Sequence, residues 1–404
     1  FLALFSIIGS GHMTCEVAPQ SVNVLGIETS CDDTGCAVVN NSKNILGESL
    51  FSQNNIHVRY GGVNPTLARE LHRENIESAV NEAVLKAQLD IGDIHAIAVT
   101  TKPGLLASLQ IGVKYANYLA KQYNKPLIPI HHMEAHALVA RMCDNIPFPY
   151  MVLLISGGHC LLGIANDIDK FLLLGRTLDN APGEVLDKVA RRMKLKNLPE
   201  YSKISGGEAV ELAAQKATDL QQFQFPLPLI RSRNCNFSFS GLKDSLVRSL
   251  LAKEREHGIM GGAIIPEVFN LCAAFQLAIA EHIINRVERA ILFSQKYNYL
   301  PFDKKNLVVS GGVACNNYLY KCLEYLGHKH QYNVYRPPPR LCTDNGVMIA
   351  WNGIEKLNKT CRLHSYINNN DIDPNAAFGY SLENEVKEAD LPVKVTRLNV
   401  ISET

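Results

Sequence analysis

The feature that most constrains this chain is that it starts over. A proline-marked break at Asn145-Ile146-Pro147-Phe148-Pro149 divides two stretches that read alike, each as three strands, a helix, a strand, a helix and a strand. In the first, strands are expected at residues 22–28, 36–39 and 45–51, then a helix at 66–89, a strand at 95–100, a helix at 105–123 and a strand at 127–130. In the second, strands are expected at 150–155, 160–165 and 171–174, and a helix at 181–195. A long helix at 266–295, a strand at 307–310, a helix at 316–326, a strand at 333–335 and a closing helix at 344–356 follow. The topology repeats although the residues do not. Strands alternating with helices predict an α/β protein with mixed sheets covered by helices. The expected organisation is one lobe over 22–149 and a second over 150–355. The second carries an insertion at about 197–265, and residues 356–404 form a C-terminal extension. Residues 1–21 are set aside as a targeting remnant or an appended cloning segment. The first twenty hold no Lys or Arg, unlike an intact transit peptide.

Composition excludes several classes. The 404 residues suffice for two cores. Forty Lys and Arg stand against 39 Asp and Glu, so a generally basic nucleic-acid coat is excluded and any RNA contact must be local. No apolar run reaches the ~18 residues of a membrane span. Eleven scattered cysteines without a CxxC pair argue against a disulfide framework or a thiolate zinc site, and for buried thiols in a reducing compartment.

Chemistry is expected at turns after buried strands: Thr29 to Gly35, Ser156-Gly157-Gly158 and Ser310-Gly311-Gly312-Val313. Glycine lets backbone N–H groups approach an anion. One Ser-Gly-Gly is weak evidence, and two at matching points of two halves are better. Neither a P-loop nor a GxGxxG fingerprint is present. In His131-His132-Met133-Glu134-Ala135-His136, His132 and His136 lie at i and i+4 on one helix face. That spacing suits two imidazoles on one metal, and equally a capping or surface cluster. Glu134 is two residues past His132, not adjacent as a zinc protease requires. Arg336-Pro337-Pro338-Pro339-Arg340 is a rigid lead-in to Thr343-Asp344, read either as a helix cap or as aiming Asp344 into a site. The acidic turn Glu28, Asp32, Asp33 reads as a hairpin turn or as carboxylates that hold a cation near a phosphate. Lys188, Arg191, Arg192, Lys194 and Lys196 form a local basic segment, with Arg231, Arg233 and Lys243 in or near the insertion.

Taken together, these motifs resemble one family. Gly26-Ile27-Glu28-Thr29-Ser30-Cys31-Asp32-Asp33-Thr34, the His131 to His136 segment, Leu154-Ile155-Ser156-Gly157-Gly158-His159, Ala181-Pro182-Gly183-Glu184, Phe237-Ser238-Phe239-Ser240-Gly241-Leu242, Ser310-Gly311-Gly312-Val313 and residues 337–348 are similar to the universal tRNA threonylcarbamoyladenosine transferases. The His-His-Met-Glu form is like the bacterial and organellar branch, which implies a mitochondrial location. The resemblance implies two ribonuclease-H-like lobes of the actin/Hsp70/sugar-kinase superfamily. It implies transfer of threonylcarbamoyl from threonylcarbamoyl-AMP to N6 of adenosine 37 in tRNAs that read ANN codons. It implies His132, His136 and Asp344 as ligands of one divalent zinc or iron per subunit. Leu154, Ile155, Ser156, Gly157, Gly158, Asp187, Gly207, Glu211, Cys315, Asn316 and Thr343 would hold the adenylate, with Mg accompanying the nucleotide. Asp32 is a candidate for a second cation or a proton relay. The partners implied are mitochondrial tRNA through its anticodon loop, an upstream threonylcarbamoyl-AMP synthase, and a second copy in a homodimer. Rival readings are a nucleotide-dependent scaffold, a metalloprotease and a small-molecule kinase of the same fold.

Overall fold

In a computed structural model, the structure describes residues 21–57, 62–359, 363–394, 396 and 398. Of the set-aside residues 1–21, the first twenty lie outside them. In chain order the elements begin with β1 (Asn23–Glu28), β2 (Asp33–Asn40), β3 (Ile45–Ser52), α1 (Asn54–His57), α2 (Pro65–Lys86), β4 (Ala96–Lys102), α3 (Leu106–Tyr123), β5 (Leu127–His131), α4 (His132–Leu138) and α5 (Ala140–Cys143). Then come β6 (Tyr150–Ile155), β7 (Cys160–Asp167), β8 (Lys170–Arg176), α6 (Pro182–Arg192), α7 (Gly206–Ala214), α8 (Ser240–Glu256), α9 (Val268–Lys296), β9 (Asn306–Ser310), α10 (Asn317–His330) and β10 (Asn333–Tyr335). The chain ends with α11 (Pro339–Cys342), α12 (Gly346–Asn358), β11 (Tyr380–Ser381) and α13 (Glu383–Glu388).

The chain divides into two compact units. The first holds residues through Met142 together with Asp344–Ala376, and the second holds Cys143–Thr343 and the rest. The first sheet runs β3-β2-β1-β4-β5, and the second runs β10-β9-β6-β7-β8-β11. In each, a three-stranded antiparallel meander is extended by two parallel strands on the side of its first strand. The repeat read from the sequence is therefore real at the level of strand order.

The expected boundary at residue 355 differs from the structure. Helix α12 was expected to close the second lobe but packs on the first sheet, against β1, β2 and β4. Three glycines explain this. A Cβ at Gly26 would land on the carbonyl of Gly346 and the backbone of Ala350, and one at Gly35 would sit 2.8 Å from Gly346 N. The bare backbones let helix and sheet touch. Successive β1 residues face opposite sides, so Gly26 serves α12 while Leu25 and Ile27 join the core built with α2 and α3. The C-terminal extension is likewise split, up to Ala376 with the first unit and from Ala377 with the second.

The second unit is organised by α9. It is 29 residues long and apolar enough to cross a membrane by length and composition, yet 83% of its apolar window is buried inside the structure. Two buried cations on α9 hold the insertion. Arg286 donates to the carbonyls of Ser232, Asn234, Pro228 and Leu229, and Arg289 donates to Asn234 and Leu391. Burial pushes the Arg286 pKa down to about 10. The insertion expected at about 197–265 contains α7 and α8. Helix α8 buries Leu242, Leu246 and Leu250, one side chain per turn. Each contributes about 1.5–3 kcal/mol of apolar burial.

Candidate functional site

Three neighbouring histidines have three different fates. His131 ends β5 and caps α4, its Nδ1 accepting from Met133 N at 3.2 Å. His132 and His136 then point the same way from α4, with ring centroids 4.7 Å apart and nearly perpendicular. Glu134, between them, faces Lys356 at 3.5 Å, which removes the acid a protease reading would need.

Asp344 comes to the His pair from the start of α12. It is not the helix cap. Asn345 does that work, its side chain accepting from Met348 N at 2.9 Å, so the Asp344 carboxylate turns to the histidines. Asp344 Oδ1 lies 3.0 Å from His136 Nε2 and 3.5 Å from His132 Nε2. Ligand atoms of all three residues lie within 4.8 Å of one another.

The support for His132 is a buried carboxylate, Glu28, which the sequence leaves open as a hairpin-turn acid or a cation ligand. Glu28 has no exposed surface. Its Oε1 accepts from Ser30 N at 2.5 Å, and its Oε2 accepts from Thr100 Oγ1 at 2.5 Å and from His132 Nδ1 at 3.1 Å. Ser30 Oγ also reaches His132 Nδ1, at 3.1 Å. Burial opposes charge on the imidazole, but the Glu28 and Asp344 carboxylates outweigh it and push the His132 pKa up to about 9. Burial likewise opposes charge on Glu28, and the His132 imidazole holds its pKa below the usual value. Fixing the proton on Nδ1 leaves Nε2 as the atom facing Asp344. His136 Nδ1 is buried without a partner, so that ring is oriented by packing and by Asp344 at its Nε2. Two imidazole nitrogens and one carboxylate oxygen, one ring tethered to a buried acid, fit a divalent ion with open positions.

Asp32 lies half-buried in the turn between β1 and β2, in the same unit as this triad. Its neighbour Asp33 has Oδ1 buried without a partner, and burial first, with nearby carboxylates adding, pushes its pKa up to about 7.

The remaining expected residues fall in the second unit. Leu154 and Ile155 are the buried end of β6. Ser156 shapes the following turn, its Oγ accepting from Gly158 N at 3.3 Å and His159 N at 3.1 Å. Gly157 and Gly158 are exposed, and a Cβ on either would meet nothing within 4 Å. Helix α6 begins against this turn, Gly183 N donating to Ser156 O at 3.1 Å.

Asp187 and Glu211 are already engaged. Asp187 accepts from the N–H groups of Gly206 and Gly207, where α7 starts, and burial lifts its pKa against those bonds. Glu211 accepts from Asn317 N at 2.7 Å and Tyr318 N at 3.4 Å, where α10 starts. Asn316 caps α10 through Leu319 N at 2.8 Å and donates to Gln276 at 3.1 Å. Cys315 is half-buried in the short 3-10 turn Gly312–Cys315, and Thr343 follows α11 beside Gly312. Asp187, Glu211 and Asn316 thus have structural bonds that their sequence motifs do not reveal.

The basic segment is largely neutralised. Lys188 pairs with Glu184, and Arg192 and Lys194 both pair with Glu254.

A family model for tRNA N6-adenosine threonylcarbamoyltransferase matches residues 44–351. A mouse protein named mitochondrial tRNA N6-adenosine threonylcarbamoyltransferase is 47% identical over 379 residues, covering 93% of this chain and 90% of its own. The chain belongs to the tRNA N6-adenosine threonylcarbamoyltransferase family. A Drosophila melanogaster relative named as a probable mitochondrial enzyme of this kind is 44% identical over 390 residues, covering 94% of each chain. A Rickettsia rickettsii tRNA N6-adenosine threonylcarbamoyltransferase is 40% identical over 338 residues, 83% of this chain and 93% of its own. The family makes this chain a transferase, and its resemblance to the animal relatives makes it mitochondrial. Among solved structures, HypF from T. kodakarensis aligns with a TM-score of 0.52 at 13% identity, over 87% of this chain and 49% of that one. That likeness concerns the fold alone. With the family, it gives the actin/Hsp70/sugar-kinase architecture expected from the sequence.

Proposed function

We propose that this transferase moves the threonylcarbamoyl group of threonylcarbamoyl-AMP to N6 of adenosine 37 in mitochondrial tRNAs that read ANN codons. The observation that carries the reading is the triad in the first unit: His132 Nε2, His136 Nε2 and Asp344 Oδ1 converging, with Glu28 fixing the first imidazole. These residues would hold one zinc or iron ion, which supplies Lewis-acid polarisation of the transferred carbonyl and neutralisation of the leaving phosphate.

The chain's own groups do the rest. His132, tethered at Nδ1, and Asp344, excused from capping, keep a fixed set of donors and so reduce the reorganisation needed during reaction. In the second unit, the exposed Ser156-Gly157-Gly158 turn offers backbone N–H groups next to the start of α6, an arrangement suited to phosphate oxygens. Asp187, Glu211 and Asn316 fix the starts of α7 and α10, and so position Gly207 and Cys315 beside them for the adenosine. Asp32 is the candidate for a second cation, including Mg held with nucleotide, or for relaying the amine proton. The acceptor adenine lies in a single-stranded anticodon loop, where a base can be splayed from its neighbours. A threonylcarbamoyl-AMP synthase supplies the substrate, and the working form is a homodimer.

The test is mass spectrometry of adenosine 37 after incubating the purified chain with unmodified ANN-decoding tRNA and threonylcarbamoyl-AMP, with and without chelator. Product that disappears with chelator and returns with zinc or iron supports the reading. No product from a folded, metal-loaded chain overturns it in favour of a scaffold.

A further inference from the structure

The two buried cations of α9 have no part in the transfer reaction. Arg286 and Arg289 form no ion pair among the described residues. Burying a guanidinium is costly unless its N–H groups are matched. Here backbone carbonyls of one short stretch match them, Arg286 reaching Leu229 O at 2.5 Å and Ser232 O at 2.8 Å, and both arginines reaching Asn234 O. The stretch turns at Leu229, which sits at φ +51, and Ser232 N donates to Leu229 O at 2.9 Å. With these carbonyls bound to α9, Ile230 and Arg231 at the turn are exposed. Among the described residues, the Arg231 side chain has no hydrogen bond or ion pair. Arg233 is exposed as well and bonds only Asp390, itself exposed. The chain carries a net charge of only +1, so a local gathering of four arginines is the kind of patch that an RNA contact here requires.

The strip is fixed at its other end too. Ser238 N donates to His282, one turn before Arg286 on α9, and Asp179 accepts from Ser238 Oγ at 2.6 Å and from Phe239 N at 2.8 Å. Asn236 Oδ1 accepts from Arg176 N at 3.0 Å, where β8 ends. Strands β6 and β8 both run antiparallel to β7 between them, so they end on the same side of the sheet. The strip from Arg231 therefore leads to the end of the second sheet that carries the Ser156 turn, two strands or about 10 Å across from it.

We propose that Arg231, held outward by the Arg286 and Arg289 clamp, binds a backbone phosphate of the tRNA being modified. This rests on the tRNA-directed function proposed above. A guanidinium is always charged and presents paired N–H groups to phosphate oxygens. The backbone on either side of Arg231 is already fixed, so binding has to order one side chain rather than a loop, which lowers its entropic cost. A phosphate contact carries no sequence information, so it serves every acceptor tRNA alike. The competing occupant is an acidic surface on a second copy. RNA is favoured because the strip leads toward the Ser156 turn, the group assigned to the adenylate.

The test reads binding apart from chemistry. The full chain is titrated against a fluorescein-labelled ANN-decoding tRNA without threonylcarbamoyl-AMP, at several salt concentrations, and affinity is read by anisotropy. Arg231→Ala should weaken binding ~5-fold or more, and the slope of log affinity against log salt should shrink by about 0.7–0.9, the share of one phosphate. In the transfer assay its KM for tRNA should rise while kcat holds. Removing a cation already paired with Glu82, in Lys86→Ala, should change neither affinity nor slope. Arg286→Lys tests the clamp as a positioning residue. It should weaken tRNA binding alone and cost nothing further beside Arg231→Ala, whereas a clamp that serves folding only would lower the thermal midpoint and leave affinity unchanged. If Arg286→Lys does not fold, Arg231→Ala decides alone. The inference fails if Arg231→Ala binds tRNA like the native chain, loses affinity with no change of slope, or loses no more than Lys86→Ala. A changed sedimentation coefficient with native tRNA affinity would also overturn it and assign the surface to a second copy. A native chain that does not bind the tRNA would sink the proposed function as well, while binding without product would count against the chemistry and leave this contact to be decided by affinity.

Discussion

The two units place a turn at the same point of the same topology, between the first and second strands of the meander, and build it in opposite ways. After β1 the turn is packed solid. Thr29 is buried with its Oγ1 donating to Ser108 O at 3.0 Å, and Ser30 is buried with Gly104 pressed against it. After β6 the turn is bare, and Gly157 and Gly158 have open space where side chains would be. The first turn spends its polar groups on protein: Glu28, just before it, bonds Ser30, Thr100 and His132. The second keeps its backbone available to a ligand. One strand pattern thus supports two chemistries. Under the proposed function, the rigid interior of the first unit would hold side-chain ligands, and the open loop of the second would offer main-chain donors.

The largest expected effect breaks the first region only. His136→Ala and Asp344→Ala should each lower transfer by ~100-fold or more and abolish tight binding of one divalent ion. Their thermal midpoint should stay near that of the native chain, because neither side chain caps a helix or completes a strand pair. Wild-type-like tRNA modification by either variant would falsify the metal assignment.

Swapping the glycine test between the two turns sharpens the contrast. Gly158→Ala meets no protein atom, so it should leave thermal unfolding unchanged while raising KM for threonylcarbamoyl-AMP by ~10-fold. Gly104→Ala supports the packed turn at φ +155, where an added Cβ would lie 2.5 Å from Ser30 O. It should cost about 1–3 kcal/mol of stability in a denaturant titration. Equal effects of the two substitutions would mean that the turns are not built differently.

Glu28→Gln asks whether the buried acid acts through His132. The amide keeps the shape but loses the charge that fixes the imidazole proton. Metal affinity, read by competition with a chromogenic chelator, should fall ~10–100-fold. A purely structural Glu28 would lower the unfolding midpoint and leave affinity alone.

The smallest effect concerns pH and the second unit's core. His282 is buried edge-on to Phe237 and Phe239, and its Nε2 accepts from Ser238 N at 3.1 Å. Burial, with Arg286 adding, pushes its pKa down to about 3, from about 6.5 for an ordinary imidazole. Between those values the unfolded chain takes the proton and the folded chain does not. Its stabilisation is therefore complete above about pH 6.5 and lost as pH falls toward 3. Urea midpoints at about pH 7 and about pH 5 should differ in the native chain and converge in His282→Asn.

Local pattern made most of the fold readable. Strand β6 and helix α3 were expected within a residue of where they lie, because buried apolar runs and helical periodicity are properties of short stretches. Helix α8 was not anticipated, since its Leu242, Leu246 and Leu250 stripe is interrupted by charged residues and preceded by prolines. At the site, spacing alone put His132 and His136 on one face. It did not choose between metal and cap, and Asp344 entered through family resemblance.

The sequence by itself determined the duplicated strand order, the paired histidines and the glycine turns, because each follows from residues near in the chain. Tertiary structure alone decided that α12 belongs with the first sheet and brings Asp344 to α4, through three glycines dispersed from Gly26 to Gly346. It also decided that Glu28, 104 positions before His132, is the carboxylate behind that imidazole. Such pairings depend on which backbones can approach closely, and no local pattern of residue types encodes that distance.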